Sequence, residues 1–187
     1  MPYHLCPMKA SARARAPIIV VMGVSGSGKT TVARLLAERL DCSMLEGDSL
    51  HSPENIRRMA AGTALEDSDR ADWLAAIAQR IAAAAREGRA MVVSCSALKR
   101  RYRDVLRQGD PHLIFVHLTG AKRLIQQRMS LRHDHFMSPA LLDSQLDALE
   151  IPDADEHVIS CDVAQSPAAI VALVIAHLPV AAAGQSP

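Results

Sequence analysis

Residues 23–30 read Gly-Val-Ser-Gly-Ser-Gly-Lys-Thr and fill every fixed position of the pattern G-x-x-x-x-G-K-[ST]. The flanks constrain the fold as much as the motif does. Ile18, Ile19, Val20, Val21 and Met22 form an unbroken apolar run rich in β-branched residues, as a strand buried on both faces requires. After the motif, Val32, Leu35, Leu36 and Leu40 recur on one face of a helix expected over 31–40. The glycines let backbone N–H groups approach an anion, and the helix N-terminus points its unpaired amides at the same place. The motif therefore implies a bound nucleoside triphosphate, with Gly23, Val24, Ser25, Gly26, Ser27, Gly28, Lys29, Thr30 and Thr31 around its phosphates. Lys29 is expected to reach the β- and γ-phosphates, and the Thr30 hydroxyl to hold Mg²⁺.

The rest of the chain alternates between the two periods. Apolar runs at 43–46, 90–95, 113–118 and 157–161 read as four more strands. Helices are expected at 53–60, opened by Ser52 as N-cap and Pro53 and stopped by Gly62, and at 71–86, after a polar loop over 65–70. Trp73 falls on the core face of the second of these, with Ile77, Ile81 and Ala84. Further helices are expected over 99–107, 121–131, 138–149 and 166–178. Strand–helix alternation with right-handed crossovers predicts a three-layer α/β/α sandwich around a five-stranded parallel sheet.

The 187 residues suit one domain, expected over 17–179, with a basic tail at 1–16, a second tail at 180–187 and a mobile lid over 121–138. Apolar residues make up 49%, enough for a core, and the net charge of +1 gives no field suited to nucleic acid or a membrane. Cys6, Cys42, Cys95 and Cys161 are widely spaced and include no C-x-x-C pair, so thiols in a reducing cytosol are expected rather than a disulfide framework or zinc. No apolar run has the length of a membrane span.

In a parallel α/β sheet the ligand crevice lies beyond the carboxyl ends of the strands. Asp48, just past the second strand, is expected there. Its carboxylate can orient and deprotonate an attacking hydroxyl or hold a Mg²⁺-bound water. Arg57 and Arg58 either face an acidic substrate or are solvated. Arg70 either clamps a substrate anion or pairs with Asp67 or Asp69. The cations of 99–107 read as a solvated face, with Lys99, nearest the strand end, as the exception. His133, Asp134 and His135 lack the further fixed-spacing ligands of a metal site. Arg128 and Arg132 instead suit a flap over the charge that develops on a transferring phosphoryl group.

No N-K-x-D guanine motif is present, and the pair Asp155-Glu156 precedes a strand instead of ending one as in motor and AAA-type ATPases. A small-molecule kinase fits better. At this point the chain resembles the small, single-domain, phosphate-loop gluconokinases. The matching blocks begin at 22–30 with Met-Gly-Val-Ser-Gly-Ser-Gly-Lys-Thr and continue through Glu46-Gly47-Asp48-x-Leu50-His51 and Asn55-Ile56-x-x-Met59-x-x-Gly62. They go on through Leu65-x-Asp67-x-Asp69-Arg70-x-x-Trp73-Leu74, and then Cys95-Ser96-Ala97-Leu98-Lys99-x-x-Tyr102-Arg103-Asp104. The last are Arg132-x-x-His135-Phe136-Met137 and Ser144-Gln145-Leu146-x-x-Leu149-Glu150-x-Pro152. Two departures stand out: Asp72 where the family commonly has Pro, in what is expected to be a first helical turn, and His133-Asp134 where a small residue is more usual.

The resemblance implies ATP- and Mg²⁺-dependent phosphorylation of D-gluconate to 6-phospho-D-gluconate, in the cytoplasm, by a homodimer that binds neither nucleic acid nor membrane. His51, Arg57, Arg70, Lys99 and His135 would bind the sugar acid. Asp48 would activate its hydroxyl, and Lys29, Arg128 and Arg132 would stabilise the transferring group. The alternatives are another small-acceptor kinase of the shikimate or nucleotide type and a non-catalytic nucleotide-binding regulator.

Overall fold

The computed structural model describes residues 15–63, 65–130 and 139–179. Strand β1 (Ile18–Met22) is buried along its whole length. Ile19 and Val21 enter one core and Ile18, Val20 and Met22 the other, as the two-residue period of a strand between two helical layers dictates. Around β1 the order is β2 (Ser43–Glu46), β3 (Met91–Ser94), β1, β4 (Ile114–Thr119), β5 (Val158–Asp162), every pairing parallel.

One face is covered by α1 (Lys29–Arg39) and α7 (Pro167–His177), which bury Val32, Leu36, Ile170 and Val174. Helix α5 (Lys122–Ser130) adds Ile125 and α6 (Pro139–Asp147) adds Leu142 to this core. The other face is covered by α3 (Asp67–Arg86) and α4 (Arg100–Arg107), through Trp73, Leu74, Ile77, Ile81, Tyr102 and Leu106. Helix α2 (Pro53–Ala60) buries no residue and lies outside the layers; its N-terminus is capped by Ser52, whose hydroxyl accepts from Asn55 N. The expected three-layer sandwich and its five parallel strands are therefore present.

Two helices differ from expectation for identifiable reasons. The segment 65–70 is not all loop: α3 starts at Asp67, because Glu66 and Asp69 form a reciprocal capping box. Asp72 accordingly lies in the second helical turn, not the first. Helix α4 is more than a solvated basic face, since Arg103 is 1% exposed and bonded to the equally buried Glu156, Nε to Oε2 at 2.6 Å and Nη2 to Oε1 at 2.8 Å. A lone buried carboxylate would be costly, and the arginine compensates it.

Of the expected basic tail, Arg15 pairs with Asp110 at 2.8 Å. The rest of that tail, the tail after 179, and lid residues 131–138, with Arg132, His133, Asp134 and His135, lie outside the described residues. Cys42, Cys95 and Cys161 are free thiols. Among the described residues no helix is long and apolar enough to cross a membrane.

Candidate active site

Strand register sets the frame of the site. Val21 and Glu46 both pair with Ser94; β2 and β3 end at that level, and β1 runs one residue further, to Met22. Gly23 and Asp48 each lie two residues beyond that level, on the same edge of the sheet. With strands about 4.8 Å apart, the two tips stand roughly 10 Å from each other across β3.

At the first tip the chain turns through Gly23, Gly26 and Gly28, all with positive φ. Gly28 is the N-cap of α1 at φ +96°, and no atom lies within 4 Å of where its Cβ would stand, so conformation alone demands glycine there. No side chain caps α1, which leaves its first amides directed at the loop's concavity. That uncapped helix start is what a phosphate group needs, and the residues present fit one. Lys29 Nζ donates to Val24 O at 3.2 Å, across the same loop. Thr30 is exposed at the first turn.

At the second tip Asp48 is exposed on a 3-10 turn spanning Gly47–Leu50. That turn is pinned from below. Trp73 Nε1 donates to Gly47 O at 2.7 Å, and a Cβ on Gly47 would collide with Ser94 O. His51 stacks on Trp73, with ring centroids 4.2 Å apart, and its backbone N–H donates to Asp48 O at 3.3 Å. Burial lowers the His51 pKa below its ordinary value and Arg70 adds to that, against an opposing pull from Asp48. Between the two tips, burial pushes the Cys95 thiol up to about 12 and Asp48 adds to the rise, so this cysteine stays protonated.

Beside the tips lies a cavity of about 470 Å³, a size usual for small-molecule sites. Its cations are Arg70 and Lys99, its acids Glu66 and Asp67, and its hydroxyl and amide groups Ser68, Tyr102, Ser144 and Gln145. Asp67 ties one wall together: it accepts from Lys99 Nζ at 3.0 Å and from Arg101 and the Tyr102 hydroxyl. The Tyr102 bond foremost, then Lys99, holds its carboxyl down to about 2. Arg70 pairs with neither acid offered by the sequence. Asp69 is taken by Arg58 at 2.8 Å, and the buried Arg70 Nε has no partner among the described residues.

Asp48, Lys29, Thr30, Arg70 and Lys99 thus gather at one edge of the sheet. Arg57 is exposed on α2, outside the cavity lining. Arg128 sits on α5, the helix whose Met129 side chain packs on Gly26, and its Nη2 donates to Val163 O at 2.6 Å. In the sequence Tyr102 and Gln145 figure only within the blocks that carry the family resemblance. Gln145 is a polar side chain interrupting the apolar stripe of Leu142, Leu146 and Leu149, and that interruption was the available signal. Among the described residues no group of three or more His, Cys, Asp or Glu could hold a metal, so Mg²⁺ here would depend on the phosphates as well as on Thr30 or Asp48.

A phosphate-binding loop at the tip of β1, an acid at the same level beyond β2, across β3, and a cationic cavity beside them define a phosphate-loop kinase. A family model described as an AAA domain matches residues 18–151, from β1 to the end of the cavity-lining elements. The chain is 44% identical to the gluconokinase of Gluconobacter oxydans over 85% of its own length and 89% of that protein. It is 42% identical to the thermoresistant gluconokinase of Escherichia coli, over 84% and 91% of the two chains. The crystal structure of a gluconokinase from Sinorhizobium meliloti superposes with a TM-score of 0.79 at 48% identity, covering 88% of this chain and 92% of that one. The chain belongs to the gluconokinase family.

Proposed function

We propose that the protein transfers the γ-phosphoryl group of ATP to the terminal hydroxyl of D-gluconate, giving 6-phospho-D-gluconate and ADP. One observation carries this reading: an exposed carboxylate and a phosphate-binding loop stand at the same level beyond β2 and β1, beside a cavity whose cations and hydroxyl groups suit a polyhydroxy acid. Asp48 takes the proton of the attacking hydroxyl. The new O–P bond forms as the bond to the β–γ bridging oxygen breaks, and ADP leaves. Lys29 stabilises charge on the transferring group. Mg²⁺, held by Thr30 with a water on Asp48, would neutralise charge on the β- and γ-oxygens.

In the cavity, Arg70 holds the gluconate carboxylate, since its guanidinium suits a planar two-oxygen anion and its Nε has no protein partner among the described residues. Lys99, already shared with Asp67, bonds the hydroxyls, and His51 fixes the turn that carries Asp48. The lid over 121–138 brings Arg128 and Arg132 to the phosphates and His135 to the acceptor, excluding water. The enzyme is read as one domain over 17–179, acting as a cytoplasmic homodimer without nucleic-acid or membrane partners.

Purified protein with Mg²⁺ and ATP, offered gluconate, shikimate and nucleoside monophosphates in parallel, decides the matter by ³¹P NMR. A phosphogluconate signal with gluconate alone is expected. Turnover on shikimate or a nucleotide instead, or ATP binding with no acceptor turnover, overturns the proposal.

A further inference from the structure

Helix α6 serves both halves of the site. The Gln145 side chain accepts a hydrogen bond at 2.7 Å from the backbone N–H of Ser25, 120 residues earlier, in the middle of the phosphate loop. Gln145 also lines the acceptor cavity together with its neighbours Ser144 and Ala148. Ser25 is 6% exposed, so water competes poorly for this bond. The helix itself is firmly seated. Leu142 is fully buried in the core, and just past the helix Glu150 N donates to Leu98 O, of another cavity-lining residue, at 2.9 Å.

We propose that Gln145 is a positioning residue that sets the distance between the donor phosphate and the acceptor hydroxyl. This rests on the kinase reading above. The phosphate loop holds its ligand through backbone amides, so the position of the loop is the position of the phosphates. The cavity wall built by α6 locates the acceptor. The Ser25–Gln145 hydrogen bond joins the loop to that wall, and reacting groups displaced by about 1 Å can lose around a hundredfold in rate. Gln145 acts through the Ser25 backbone, so its loss falls on phosphoryl transfer and leaves nucleotide affinity nearly intact.

Gln145→Met keeps the length and volume of the side chain and removes the acceptor; Gln145→Glu keeps an acceptor oxygen. For Gln145→Met the expected result is a fall in kcat with gluconate of about tenfold or more, with the Kd for ATP within about threefold of the parent. Gln145→Glu is expected to recover part of that kcat, while its added charge near the phosphates weakens ATP binding. Parental kcat in Gln145→Met overturns the proposal. So does a parallel loss of ATP affinity and melting temperature, which marks a merely structural contact. Should Gln145→Met fail to fold, the parent protein decides. Gluconate added without nucleotide is expected to shift the Ser25 amide resonance, and an unmoved resonance overturns the coupling. An inactive parent protein would instead count against the gluconate reading itself.

Discussion

Arg70 and Lys99 line the same cavity but are not equivalent cations. Lys99 already shares Asp67 with Arg101 and Tyr102, whereas Arg70 Nε is buried without a partner among the described residues. A buried N–H without a partner is costly to keep, and a carboxylate ligand would offset that cost. Arg70→Leu is therefore expected to raise KM for gluconate by roughly ten- to a hundredfold, the loss of one charge-assisted pair of about 1.5–3 kcal/mol, with KM for ATP little changed. Steady-state kinetics with each substrate varied in turn checks this; equal rises in both KM values would remove Arg70 from the acceptor. At this scale the sequence was legible wherever a residue type is itself the requirement. The motif glycines, with their positive φ values, are such cases. The Ser25–Gln145 bond was not legible, because a backbone amide leaves no mark on the identity of its residue. Nor could the sequence decide between a clamp and an ion pair for Arg70; that depended on Arg58 reaching Asp69 first.

Among elements, α4 shows how one helix carries both surface and core charge. Arg100 is paired with the exposed Asp153 and Asp155, at 3.2 and 2.8 Å. Arg103, three positions on, is buried with Glu156, and its Nη1 also donates to Ala97 O and Leu98 O at 3.2 Å and to Glu150 O at 3.1 Å. Ala97 is itself at φ +43°, an uncommon backbone state for alanine that these carbonyl contacts help to hold. Arg103→Ala would leave the buried Glu156 beside a cavity, with the Arg107 guanidinium at 3.2 Å still paired to it. It is expected to cost about 3–5 kcal/mol of stability, read as a lower urea midpoint. Arg100→Ala, between exposed groups, is expected to cost about 1 kcal/mol or less. Equal effects would contradict this division. Four arginines stand between 100 and 107, and nothing in their spacing told which faces inward; the answer lay in Glu156, 53 residues away. The start of α3, at Asp67, lies inside the expected loop for a related reason. Its acids look like loop residues until Glu66 and Asp69 are seen to cap each other.

For the whole molecule, the two cores follow from period-2 burial and so were open to reading from the chain alone; the strand order was not, because right-handed crossovers are compatible with several orders of five parallel strands. The same packing creates a pH dependence. His51 and His117 are both held below their ordinary pKa of 6.5, first of all by burial. The unfolded chain then binds protons that the folded one refuses, so stability is full above about pH 6.5 and falls as pH drops below it. A second loss follows lower down. The Arg103 hydrogen bonds, with lesser help from others, hold Glu156 down to about 2 from 4.5, and that contribution disappears as pH falls through this interval. Melting temperatures are expected to be level from pH 8 to 7 and to decline between pH 6.5 and 5; a flat profile to pH 5 would contradict the burial of the two histidines.

The proposed reaction depends above all on the acid just past the tip of β2 working on a phosphoryl group held at the tip of β1. Asp48→Asn keeps the shape of that side chain and removes its basicity. Measured side by side, turnover of ATP with gluconate and direct ATP binding test the idea in a single variant. Turnover is expected to fall by roughly 10²–10⁴-fold, with the Kd for ATP within about threefold of the parent. Turnover close to the parental rate in Asp48→Asn would contradict it.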